Sequence, residues 1–288
     1  MHFLYKIPGF ILLLFGGFCL SWGGLIIRSF EEATVWQILL LRSVFFMFAL
    51  IIFLFFTYKK NTFKIIKDSG YPALIGGFVM SLSFIAFVVS MSKTSVANVV
   101  FIISTQTMFL ALLGYFYLKE KVSFISLITI ILAMTGIIIM VGDSLTSGSF
   151  IGNLIALAIP INFSILVMII RKNKNLDMVP AIFYSGIFSI IYGLILSESF
   201  YFTTHDLYMG FLLGVPQLAF GFICITIGSR TTPSTTIGLL MLTETIFAPI
   251  WVWLFLNEIP PMSVLLGGAI IILAIILKSF DKNKALSG

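Results

Sequence analysis

Runs of about twenty apolar residues recur along the whole chain, and they constrain its fold more than any other feature. A membrane-spanning α-helix needs about 20 such residues, and 60% of the 288 positions are hydrophobic against 10% that are charged. Backbone groups in hydrocarbon must find partners within the protein, and these runs lack the polar and apolar alternation of a membrane β-strand. The sequence therefore predicts an all-α integral membrane protein.

Ten transmembrane helices fit these runs, with short connections and no separate soluble domain. The predicted spans are 8–27, 35–57, 73–91, 97–118, 122–141, 151–170, 179–197, 207–227, 235–256 and 262–277. We expect one helical bundle, either a monomer or a homodimer, whose surroundings are the lipid bilayer.

Basic residues in the loops predict the orientation, because lysine and arginine in short loops are retained in the cytoplasm. With the N-terminus inside, the opposite loops contain only Arg28 and Lys93. The cytoplasmic loops contain Lys6, Lys59, Lys60, Lys64, Lys67, Lys119, Lys121, Arg171, Lys172, Lys174, Arg230, Lys278, Lys282 and Lys284. Both termini are predicted cytoplasmic in a multi-pass cell-membrane protein, and residue usage suggests a bacterial inner membrane.

The two halves of the chain resemble each other at an offset of about 138 positions. Gly76, Thr105, Gln106, Thr107 and Glu120 fall opposite Gly214, Thr243, Glu244, Thr245 and Glu258. Residues 1–145 and 146–288 then form two repeats of five helices each, and an odd number of crossings inverts the second repeat. Inverted repeats allow a transporter to exchange two states of similar energy, so this pattern favours transport.

Several motifs resemble those of EamA-type transporters of the drug/metabolite transporter (DMT) superfamily. They are Ser21-Trp22-Gly23-Gly24 with Arg28, Leu41-Arg42, Phe116-Tyr117-Leu118-Lys119-Glu120, and Thr243-Glu244-Thr245-Ile246-Phe247-Ala248-Pro249 leading to Leu256-Asn257-Glu258. The chain departs from the family at Thr107 and Thr245, where proline is usual, and at Lys119 and Asn257, where glycine is common. The resemblance implies a proton- or gradient-driven carrier of amino acids, amines or related metabolites that works by alternating access.

Glu244 is the foremost candidate for solute binding, because it lies in the middle of a predicted span. An ionised side chain there costs about 2.5 to 3.5 kcal/mol on insertion scales, so something must compensate for it. It could bind a cationic solute group, carry a coupling proton, or serve as a structural partner of Arg42 or of hydroxyl groups.

Other polar residues at mid-span complete the candidate binding site. Gln106, Asn162 and Gln217 could orient a solute or link helices by hydrogen bonds. Trp22 and Trp251 could hold an ammonium group by cation-π attraction beside Glu244, although interfacial tryptophans are common in membrane proteins.

Three charged residues are predicted to be structural or gating rather than solute-binding. Arg42 lies close enough to the outer boundary for its head group to reach the interface. Glu120 and Glu258 end helices four and nine, where the helix dipole disfavours negative charge, so each should have basic or backbone partners.

No sequence motif indicates a metal, nucleotide or other cofactor, and the scattered basic residues do not suggest nucleic acid. The predicted function is secondary transport of a small metabolite, with protons as a candidate coupling ion. A membrane-embedded enzyme for lipid-like substrates and a channel or non-transporting subunit are the alternatives.

Overall fold

The structure, a computed structural model, describes residues 3–94, 96–141, 150–256 and 262–279, and every regular element in these ranges is helical. The α-helices are α1 Gly9–Leu20, α2 Gly23–Arg28, α3 Val35–Tyr58, α4 Thr62–Asp68, α5 Gly70–Lys93, α6 Val96–Ser104, α7 Gln106–Leu118, α8 Phe124–Val141, α9 Phe150–Ala156, α10 Ala158–Lys172, α11 Val179–Leu196, α12 Thr204–Leu212, α13 Phe220–Ser229, α14 Ser234–Leu256 and α15 Met262–Ser279. Short 3-10 turns cover Phe3–Lys6 and Lys59–Asn61, and a π-helical segment covers Leu213–Ala219. The all-α prediction is confirmed for these residues.

Seven segments of the described chain are long and apolar enough to cross a membrane. They are Gly9–Arg28, Val35–Asp68, Gly70–Lys93, Phe150–Lys172, Val179–Leu196, Thr204–Ser229 and Ser234–Phe255. Three shorter apolar helices, Ile102–Leu118, Phe124–Gly136 and Leu265–Leu277, fall within the remaining predicted spans. A helix or a broken helix thus occupies each predicted span, while the count of ten crossings stays a prediction.

Four of the predicted spans contain a helix that is interrupted along its length. α1 and α2 are separated at Ser21 and Trp22, α6 and α7 at Thr105, and α9 and α10 at Leu157. The fourth interruption is the π-helical segment, which contains Pro216. Proline removes a backbone donor, and a wide π turn accommodates that loss. α14 runs through Thr245 without interruption.

The segments run alternately between two ends of the bundle. At one end, Arg230 donates to the Lys174 carbonyl and Tyr5 contacts Asp177. This end, which carries the basic loops, is called the basic face. At the opposite face, Asp206 accepts hydrogen bonds from the backbone amides of Glu31 and Glu32 at 3.0 and 3.3 Å.

The helix contacts made by one predicted half correspond to those made by the other. α1 packs against α13 and α14, while α10 packs against α5 and α7. α3 packs against the π-helical segment, and α11 packs against α5. In each of these two comparisons, the second contact is the one expected when every helix is replaced by its counterpart in the other predicted half. α8 packs on α15, and these are the final helices of the two halves.

Gly77 permits the closest approach between α5 and α11. A Cβ added at this position would lie 2.5 Å from the Tyr184 Cβ and 2.6 Å from the Ala181 carbonyl oxygen. We expect Gly77→Ala to lower the free energy of unfolding by about 1 to 3 kcal/mol, because the two backbones must separate. Thermal unfolding in detergent measures this effect. Gly268→Ala is the matched control, since a Cβ there meets nothing within 4 Å; an equal loss in both variants would contradict the prediction.

Candidate functional site

A cavity of about 50 Å³ lies at the centre of the bundle, large enough for a few water molecules or an equally small part of a solute. Its polar lining residues are Arg42, Ser83, Gln106, Gln217 and Glu244. The apolar walls are formed by Leu20, Met80, Phe84, Phe87, Ile103, Ile159, Phe163, Leu218, Phe222 and Met241. Both predicted halves contribute to the lining. Apolar walls with a few convergent polar groups are typical of ligand sites.

Glu244 reaches this cavity from the uninterrupted helix α14, and its residue is 8% exposed. Within the described residues, no hydrogen bond or ion pair involves its carboxylate, and Arg42 lies beyond ion-pair distance. A buried carboxylate without a protein partner is costly. The side chain is therefore available to a cationic group or a proton, and the predicted structural pairing with Arg42 is absent from this conformation.

Arg42 lines the same cavity, so the expectation that its head group extends to the outer interface is wrong. The residue is 1% exposed, and Nη2 donates a 2.7 Å hydrogen bond to the Phe84 carbonyl. The guanidinium carbon lies 5.1 Å from the Phe84 ring centroid and 5.7 Å from that of Phe87. These contacts hold the guanidinium inward, while Nε has no partner among the described residues.

Two interrupted segments deliver the glutamines to the cavity. Thr105 bonds to the Ile102 carbonyl through both its backbone amide and its hydroxyl, at 3.1 and 2.6 Å, and Gln106 begins α7 directly after this break. Gln217 lies in the π-helical segment and donates to the Leu20 carbonyl at 3.2 Å. Its Oε1 has no partner in the described part of the chain. Both side chains thus retain hydrogen-bonding capacity toward a ligand.

Trp22 and Trp251, the predicted tryptophan pair, lie outside the cavity lining and stack on each other. The Trp22 and Trp251 ring centroids are 4.0 Å apart with 21° between the ring planes. Trp251 Nε1 donates to Ser21 Oγ at 2.7 Å, at the break between α1 and α2. One face of each indole is therefore occupied by the other. Asn162, on α10, is half-buried and does not line the cavity.

Glu120 joins several elements at the basic face. Its carboxylate forms an ion pair with Arg171 at the end of α10 and accepts a 2.9 Å hydrogen bond from the Ser234 amide. Arg171 also donates to the Thr232 carbonyl. The carboxylate thus caps the start of α14, where the helix dipole favours negative charge. The expected partners of Glu120 are present, whereas Glu258 lies outside the described residues.

A second polar cluster at the basic face was not predicted from the sequence. Asp177 Oδ2 accepts hydrogen bonds from the Tyr5 and Tyr58 hydroxyls, and Oδ1 accepts one from the Val179 amide. Burial and the neighbouring Asp177 raise the pKa of Tyr5 above its ordinary value. An aspartate just ahead of the Val179-Pro180 helix start is a signal that could have indicated this anchor.

Comparison with known proteins agrees with this architecture. The EamA-like transporter family matches residues 7–142 and 150–280. A Clostridium kluyveri protein described as an uncharacterized transporter is 26% identical over 236 residues, which cover 76% of this chain and 75% of that protein. A crystal structure with 13% sequence identity superposes with a TM-score of 0.78, covering 97% of this chain and 99% of the other, and shows the same fold. The chain belongs to the EamA-like transporter family of the DMT superfamily and is a multi-pass membrane transporter.

Proposed function

We propose that the protein is a secondary carrier for a small zwitterionic metabolite, such as an amino acid, and that it binds the ammonium and carboxylate groups of this solute in the central cavity. The observation that carries the proposal is the presence of two opposite charges, on Arg42 and Glu244, that line one cavity without pairing with each other. An ammonium group would pair with Glu244, and a carboxylate would pair with Arg42.

Electrostatics favours a zwitterion over either singly charged analogue. Two buried charges interact strongly in an interior of low dielectric, and each is costly when it lacks a partner. An amine would compensate only Glu244, and an organic acid would compensate only Arg42. A zwitterion leaves neither charge unpaired, while Gln106 and Gln217 supply neutral hydrogen-bonding groups beside it.

The contacts between the predicted halves support an alternating-access cycle. At the basic face, Glu120 pairs with Arg171 and Tyr5 with Asp177. At the opposite face, Trp22 stacks on Trp251. Each pair joins residues 1–145 to residues 146–288, so relative motion of the halves would open one face at a time. We infer that the basic face is cytoplasmic and that Glu244 carries the coupling proton when no solute is bound.

Membership in a transporter family favours transport over the enzyme considered from the sequence. A carrier differs from a channel in that its flux saturates at modest solute concentration. Saturable exchange in proteoliposomes would support the carrier, and flux that rises linearly with concentration would support a channel.

The test of the zwitterion site is a matched ligand series of amino acids, the corresponding amines and the corresponding acids. We expect the wild-type protein to bind the zwitterion most tightly, and Arg42→Gln to lose its preference for the zwitterion over the amine by about 30-fold or more. Losing one partner of a buried charge pair costs about 2 to 5 kcal/mol, and about 1.4 kcal/mol is tenfold in affinity. Ligand-dependent thermal shift measures the binding.

Arg42→Lys is the control, because it keeps the positive charge and should keep part of the preference. Size-exclusion profiles establish that each variant is folded. An Arg42→Gln protein that is folded and still prefers the zwitterion over the amine would contradict the assignment of the carboxylate to Arg42.

A further inference from the structure

An exposed basic turn follows α3 at the basic face, and it is called the lysine turn here. It consists of Lys59, Lys60, Phe63, Lys64 and Lys67, in the 3-10 turn and α4. α3 has 24 residues, which at about 1.5 Å per residue gives about 36 Å, more than the hydrocarbon thickness of about 30 Å. The lysine turn therefore lies at or beyond the headgroup level of the membrane.

The backbone holds the lysine turn in a fixed bend. Lys59 adopts φ 50°, a value unusual for a residue other than glycine, and thereby ends α3. The Thr62 hydroxyl lies 2.8 Å from the Lys59 carbonyl oxygen and 3.2 Å from that of Leu54. Ile66 packs against the hydrophobic core. The lysines are therefore presented by an ordered surface that is tied to the bundle at both ends.

The four lysines are exposed, and none of them forms an ion pair within the described residues. Asp68 is the one acidic residue between positions 59 and 68, so the net charge of this stretch is +3. Phe63 is 75% exposed and makes an edge contact with Phe55, which is also exposed. Charged and aromatic groups thus share one surface, which is typical of helices that lie in a membrane interface.

We propose that the lysine turn binds anionic phospholipids of the adjacent leaflet. The ammonium groups would contact the phosphates, and Phe63 would insert among the acyl chains beside Phe55. An exposed aromatic ring at the same level favours a lipid over a soluble polyanion, which would cover only the lysines. The proposed partner is therefore an anionic phospholipid. This inference does not depend on which solute is transported.

The test compares binding of phosphatidylglycerol and phosphatidylcholine to the full-length protein in mixed micelles, by native mass spectrometry and thermal shift. The test variant carries Lys60→Gln, Lys64→Gln and Lys67→Gln. We expect its affinity for phosphatidylglycerol at low salt to fall about 100-fold, or about fivefold for each lysine removed. Its affinity for phosphatidylcholine should stay unchanged.

A charge-matched control separates specific binding from net charge. Lys121→Gln, Lys172→Gln and Lys174→Gln remove three exposed lysines elsewhere on the basic face, and this variant should retain phosphatidylglycerol. Equal loss in both variants would overturn the proposal, as would equal retention. A further variant, Phe63→Ala, should weaken phosphatidylglycerol binding severalfold; unchanged binding would also overturn the proposal, because it would leave only the charges in contact.

Discussion

Glu244→Gln should reduce binding of ammonium-bearing solutes by at least about 100-fold and bring solute exchange in proteoliposomes to background. The carboxylate is buried in the cavity and has no partner in the described part of the chain, so an ammonium group would lose its counter-charge. Breaking such a pair typically costs about 3 to 5 kcal/mol. Isotope exchange and thermal shift with a saturating amino acid measure the two losses.

The same substitution should leave the unliganded protein at least as stable as wild type. Glu244 is proposed to be protonated in the solute-free protein, and a neutral amide of similar shape replaces that neutral carboxyl without adding a buried charge. Glu198→Gln is the control, because this acid is exposed in a loop and should alter neither stability nor transport. A Glu244→Gln protein that is less stable but binds solute normally would assign Glu244 to structure and move the cationic-group site to Gln106 and Gln217.

Arg171→Gln should lower the free energy of unfolding by about 3 to 5 kcal/mol, because it leaves the Glu120 carboxylate without its cation. The two side chains are 14% and 13% exposed, so water cannot fully replace the pair. The variant also removes the donor to the Thr232 carbonyl, which weakens the contact between α10 and the start of α14. Thermal and denaturant unfolding in detergent measure the loss.

Two further variants test whether this effect arises from the pair. Lys172→Gln removes the same charge one residue later, from an exposed side chain, and should cost less than about 1 kcal/mol. The double variant Glu120→Gln with Arg171→Gln should lose less unfolding free energy than the two single variants lose together, since it leaves no unpaired charge. Strict additivity of the two single effects would show that Glu120 and Arg171 are not coupled.

Runs of about twenty apolar residues were sufficient to predict the long helices of this protein. When the predicted spans are compared with the helices, and helices on either side of a break are counted together, the largest differences in the bounds are three residues, at Gly70 against a predicted start at 73 and at Thr204 against 207. The short helix α4, Thr62–Asp68, was not predicted. The cost of inserting polar groups in hydrocarbon explains this success, because it forces each apolar run into a helix of matching length. The interruption at Thr105 depends on local hydrogen bonds and was not predicted.

Site residues that are polar and lie at mid-span were predicted from the sequence. Roles that depend on contacts between distant helices were not. Glu244, Gln106 and Gln217 are polar groups at mid-span, and the structure brings all three to one cavity. Arg42 was expected to extend toward the interface, but the Phe84 carbonyl and two phenyl rings hold it inward. Sequence position cannot specify those partners, because they belong to α5. The anchoring role of Asp177 likewise depends on two tyrosines from distant segments.

The stacked indoles of Trp22 and Trp251 form an intrinsic spectroscopic probe. Aromatic chromophores only 4.0 Å apart couple their electronic transitions, and the coupling weakens steeply as the rings separate. Trp22 lies at the break in the first segment and Trp251 on α14, so any separation of these helices must change the near-ultraviolet circular dichroism. The unlabelled protein therefore contains a spectroscopic reporter for the opening of the face opposite the lysine turn.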